Sequence, residues 1–238
     1  MFNKSLFKFY LDEQGEYRTL LGMLGGQDAS NTVNRAYQYG IPADIASKVK
    51  YGKDCPELKS FLHKKYKEFS AELKQSLKFH KKFWKKNSPF YKEKIEKILG
   101  HKMPTYLIRL NMQTDGISNW SGTDISINAF KYLQRFKSGH MILDIIWESM
   151  LSQTFIDIRK KYSKKDINDL NVWGISELTA TIGIYQNDIS PTSIWDIGYM
   201  ELVPYQDTIR KLYKNRKSFE DYLDKVVEYF KKNPLKGK

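Results

Sequence analysis

At 238 residues, 41% hydrophobic and 14% aromatic, the chain has enough apolar surface for one sizeable core or a core with a helical annex, which excludes a disordered chain. A formal net charge of +13 favours acidic partners, whether nucleic acid, anionic membrane or acidic protein, and says nothing about fold. The single cysteine, Cys55, excludes an intramolecular disulfide framework and any cysteine-rich zinc module, so a reducing, cytoplasmic setting fits best.

The first residues, "MFNKSLFKFYLDEQGEY", are interrupted by Lys4, Lys8, Asp12 and Glu13, so they do not read as a secretory leader. No window approaches the ~20 consecutive apolar residues of a spanning helix, and no membrane partner is expected. Within the first 50 residues, "LGMLGGQDASN" reads as a glycine-rich loop between two helical pieces. From Pro56 to Leu99, residues such as Leu58, Phe61, Leu62, Phe69, Leu73 and Trp84 recur near helical spacing. "NSP" at 87–89 predicts a break, with Ser88 capping a second helix that Gly100 closes.

Between Lys59 and Lys102 there are fourteen Lys against four Glu, a local charge of +10. "HKKFWKK" at 80–86 interleaves aromatic rings with Lys, as single-stranded nucleic-acid grooves do. An amphipathic helix with a solvated Lys face and a buried aromatic stripe has the same pattern. That plainer reading predicts Trp84 inside and Lys64, Lys74, Lys81 and Lys85 outside. Binding of nucleic acid or an acidic partner through 59–102 stays as an alternative.

After Pro104 the period becomes two. "TYLIRLNMQ" and "TDISINAF" predict two strands, joined by the loop "TDGISNWSG" and paired either as a hairpin or side by side. A helix follows from about Gly139 to Lys160, and its apolar residues point in nearly every direction, which predicts a central, buried helix. His140, Asp144 and Glu148 form a narrow polar stripe along it. Mutual hydrogen bonding or a shared ligand would satisfy such groups. "KKYSKKDINDLNVWG" reads as a connector and "ISELTATIGIYQ" as the next helix, where Glu177 in the first turn could simply complement the helix dipole. The last part reads as one or two packing helices with a basic tail.

This order of parts resembles the gluzincin-type zinc metallopeptidases, over roughly residues 90 to 190. In that family a strand along the cleft precedes a helix carrying H-E-x-x-H, and a Glu on the next helix is the third metal ligand. The resemblance implies an α+β, zincin-like fold, mostly helical, with a small sheet before the active-site helix. Residues 1–100 would be a helical N-terminal region and 101–238 the zincin-like core with C-terminal helices, together one compact unit.

Carried over residue by residue, His140 takes the first His position and Glu177, within "WGISELTA", that of the third ligand. Met141 stands where the general-base Glu belongs and Asp144 where the second His belongs. Ligands at i and i+4 share one helix face, and the intervening Glu takes the proton of a metal-bound water. Met141 cannot do this, whereas His140, Asp144 and Glu177 could still hold zinc. The expectation is therefore a degenerate metallopeptidase homologue, inactive as a peptidase, whose cleft takes a peptide or protein segment. A divergent metallohydrolase using His140 with Asp144 is a further alternative, and it lacks an evident nucleophile.

Overall fold

The computed structural model describes residues 6–25, 40–50, 52–112, 119–130, 138–186, 189 and 199–235; at 119, 138–141 and 185–186 it describes backbone only. Helices dominate, around a small mixed sheet, which makes the fold α+β. In chain order the elements are β1 (Phe7–Tyr10), α1 (Glu13–Gly25), α2 (Ala43–Ala46), α3 (Pro56–Glu68), α4 (Ser70–Leu99), β2 (Tyr106–Asn111), β3 (Asn119–Ser121) and β4 (Asp124–Asn128). There follow α5 (Ser138–Lys161), α6 (Asp169–Gln186), a 3₁₀ turn (Met200–Tyr205), α7 (Gln206–Lys214) and α8 (Phe219–Lys232).

The two strands read from the sequence lie side by side and parallel, Ile108 opposite Ile125 and Leu110 opposite Ile127. The short β3 turns back antiparallel on β4 through Gly122, whose φ of 57° suits a residue without a Cβ. The sheet order is β1-β2-β4-β3. β1 comes from the segment read as helical, where "FKFY" is too short for its alternation to stand out; it pairs parallel with β2, Phe7 opposite Tyr106. The glycine-rich break continues past Gly25, outside the described residues.

One face of this sheet is apolar. Phe7, Phe9, Tyr106, Ile108, Leu110, Ile125 and Ile127 are buried there against α4 and α5. Phe7 meets the Trp84 ring edge-on at 4.7 Å, and the Tyr106 hydroxyl donates to Gln153 Oε1 at 3.1 Å on α5. This main core draws on residues from Leu6 to Leu235, on both sides of residue 100. A smaller core joins α1, α2 and α3 through Tyr17, Leu20, Leu58 and Leu62, with Cys55 buried in it. The opposite sheet face carries Tyr10, Arg109, Asn111, Asp124 and Ser126, and α1 approaches it.

The Lys-rich segment breaks at Phe69 and not at "NSP": α4 runs through Pro89 to Leu99. Proline removes one helical hydrogen bond and crowds the preceding turn, but Trp84 and Ser88 before it and Tyr91 and Ile95 after it are buried, so packing on both sides keeps one axis. Ser88 is a core residue here and caps nothing. As the amphipathic reading expects, Trp84 is fully buried while Lys64, Lys74, Lys81 and Lys85 are exposed. Gly100, with φ 73°, closes the helix.

α5 and α6 are the central pair, joined by a short connector and packed against each other. α6 begins at Asp169, earlier than its sequence suggests, because the Asn168 side chain accepts the Asn171 N–H at 2.8 Å and acts as an N-cap. Its stretch from Gly174 to Ile184 is buried throughout. Ser176, Thr179 and Thr181 are tolerated there because each hydroxyl donates to the carbonyl four residues earlier, at 2.8, 2.7 and 2.7 Å.

Candidate functional site

The early start of α6 moves Glu177 from a helix end to a position about two turns inside a buried helix. Its first-turn, dipole-complementing role therefore falls away. Glu177 is 5% exposed and must be satisfied by neighbours. Trp147 of α5 donates its indole Nε1–H to Glu177 Oε2 at 3.0 Å. The Trp173 indole, one turn earlier on α6, is close enough to favour the charged carboxylate as well. Burial outweighs these two donors, which favour the charged form, and the carboxyl is pushed up to about 7.

Glu148, next to Trp147 on α5, is 7% exposed. Tyr199, just before the 3₁₀ turn, packs edge-on against Trp173 with ring centroids 4.9 Å apart. Its hydroxyl is pushed up to about 12, by burial first and then by the negative charges of Glu177, Glu148 and Glu201. Glu177 and Glu148, both buried, thus both act on the exposed Tyr199, whose ring packs against Trp173. Chemically, this is a place for a hydrogen-bond donor or a cationic group, which gains from both the acids and the ring faces.

The residues read as metal ligands are distributed as follows. Glu177 is in this cluster. Asp144 is half-buried on α5, one turn before Trp147 and Glu148. The His140 and Met141 side chains lie outside the described residues, and the His140 backbone is seven residues before Trp147, about 10 Å along the helix. Among the described residues no three His, Cys, Asp or Glu side chains are grouped to hold a metal ion. Among the described residues the groups facing Glu177 are indole N–H donors, which cannot ligate a metal.

Sequence reading missed Trp147, Trp173 and Tyr199, and it gave Glu148 no partner on α6. Large aromatic residues in an apolar run look like core, and Trp173 looked like the end of a connector. The usable signal was Trp147-Glu148 followed by Leu151, an i, i+1, i+4 pattern on one helix. No family model, curated protein or solved structure matches the chain.

Proposed function

We propose that this chain is a zincin-like metallopeptidase homologue that has lost its metal site, is inactive as a peptidase, and serves as a binding protein. The observation that carries this reading is the Trp147–Glu177 hydrogen bond. It suggests a frame seven residues later than the one beginning at His140. Trp147 then takes the first His position, Glu148 the general base, Leu151 the second His and Glu177 the third ligand. Both acids of the family's pattern are kept and both imidazoles are replaced by side chains that cannot ligate a metal, an indole and a leucine. With no ion to lower a water's pKa, Glu148 has no nucleophile to activate.

The occupant we propose is a peptide or protein segment with a basic side chain. Its backbone would lie alongside β3, an edge of the sheet, and its cation over the Glu148–Glu177 pair. Ser152 of α5 holds the β3–β4 turn through the Gly122 carbonyl, so the edge and the acids belong to one scaffold. A cytoplasmic setting is part of the same proposal. No helix among the described residues is long and apolar enough to cross a membrane. Zinc held by His140, Asp144 and Glu177 is the competing reading, and it requires Glu177 to leave both indoles.

Incubation with unstructured protein substrates tests the loss of activity. The native chain should give no chelator-sensitive cleavage, and cleavage abolished by chelator would refute the proposal.

A second reading has its own observation. Trp84 is unavailable for stacking, yet Phe79 and Phe90 on α4 are 37% and 54% exposed among the Lys residues, and Lys94 Nζ lies 4.9 Å from the Phe90 ring centroid. Rings and ammonium groups together suit single-stranded nucleic acid. Titration with an oligonucleotide at rising salt distinguishes the readings. Binding that falls steeply with salt and is lost on Phe79→Ala plus Phe90→Ala would favour this second one. The first expects no such loss.

A further inference from the structure

A cavity of about 230 Å³ opens at the polar face of the sheet, lined by no described residue of α5 or α6 and independent of the zincin reading. Thr19 of α1, Arg109 of β2, Ser121 of β3, and Asp124 and Ser126 of β4 line it. Arg109 donates from Nε to Asn111 Oδ1 at 3.1 Å and from Nη2 to Thr19 Oγ1 at 2.7 Å. Asp124 accepts from the Tyr10 hydroxyl at 2.7 Å. All these partners are neutral, so among the described residues neither charge stands in an ion pair, although both line one cavity. Ser126, a residue of the lining, is 2% exposed, and its buried hydroxyl has no hydrogen-bond partner among the described residues. A buried hydroxyl without a partner is costly unless something else completes its hydrogen bonding.

The register sets the spacing. Leu107 pairs with Asp124 and Arg109 with Ser126, so Arg109 and Asp124 are diagonal neighbours on adjacent parallel strands and both line the one cavity. The amino nitrogen and carboxyl carbon of an amino acid are about 2.5 Å apart by covalent geometry. Charge-assisted hydrogen bonds add about 2.7–2.9 Å at each end. We propose that this cavity binds a free amino acid, its ammonium on Asp124, its carboxylate on Arg109 and the Ser126 hydroxyl completing the set. On the α1 side, Asp12 Oδ2 and Arg109 Nη1 both lie within 2.4 Å of where a Cβ on Gly15 would stand, so Asp12 moderates the guanidinium. The ammonium end is therefore the stronger hold.

The test is calorimetric titration of the full chain with each common L-amino acid, then with the N-acetyl and carboxamide forms of any that bind. The proposal expects one-to-one binding of at least one free amino acid. Acetylation should weaken it more than tenfold, amidation should weaken it less, and Asp124→Asn should also weaken it more than tenfold. Absence of binding by every amino acid at about 10 mM, far above a useful dissociation constant, overturns it. So does equal affinity for the free and acetylated forms, a comparison on the native protein that decides the matter even where Asp124→Asn fails to fold.

Discussion

Trp84→Ala should lower the free energy of unfolding by about 3–5 kcal/mol, the range for removing a large buried aromatic ring. Trp84 is wholly buried at the junction of α4 and the sheet. Its ring touches Phe7 at 4.7 Å and Tyr91 at 5.4 Å, so truncation leaves a cavity lined by stiff groups that cannot collapse into it. Among the described residues the indole N–H has no hydrogen-bond partner, so none of this loss is assigned to a hydrogen bond. Trp84→Phe should accordingly cost far less, since it keeps an aromatic filler and removes an unsatisfied donor. Lys85→Ala, one residue along and exposed, should stay within about 0.5 kcal/mol. Denaturant unfolding with an unchanged slope measures all three. Comparable losses at Trp84 and Lys85 would contradict the packing described.

The second large effect is on pH dependence, where two buried groups act in opposite directions. His80 is wholly buried, stacked on Phe9 at 5.2 Å, and burial holds its pKa down at about 4 against an ordinary 6.5. Below about 6.5 the unfolded chain takes up a proton that the folded one refuses. The stability this group contributes is complete above 6.5 and is lost as pH falls through about 4, on the order of 3 kcal/mol for a shift of this size. Glu177 behaves in the reverse sense. Its folded pKa of about 7 lies above an ordinary 4.5, so its contribution is complete below 4.5 and is lost as pH rises through 7, again on the order of 3 kcal/mol. His80→Phe should flatten the acid limb of the stability curve relative to the native chain. Glu177→Gln should leave stability unchanged near pH 4 and raise it near pH 8. Chemical unfolding at several pH values tests both, and parallel curves for the native chain and either variant would refute the corresponding assignment.

The elements most legible in the sequence were those with a strong local period. The buried stripe of α4, the alternation in β2 and β4, and the apolar residues on nearly every side of α5 all predict what forms. Less legible were features set by partners distant in sequence. "FKFY" becomes a strand because β2 offers it a parallel edge, and Pro89 stays helical because Trp84 and Tyr91 are anchored on the same core. Asn168 hides as a cap inside a polar connector. The candidate site was half legible: Glu177 is prominent within "WGISELTA", but its partner on α5 is an indole, and a tryptophan in an apolar run reads as packing until the two helices are side by side.

The most direct test of the lost-metal account is the zinc content of three proteins purified without chelator: the native chain, Trp147→His plus Leu151→His, and Met141→Glu plus Asp144→His. The first pair of substitutions completes H-E-x-x-H around Glu148, with Glu177 opposite. The second completes it from His140. The account predicts about one zinc per chain only in the Trp147/Leu151 variant, four-coordinate zinc needing three protein ligands and a water. Stoichiometric zinc in the native chain, or zinc gained only by the Met141/Asp144 variant, would contradict it and place the metal site at His140.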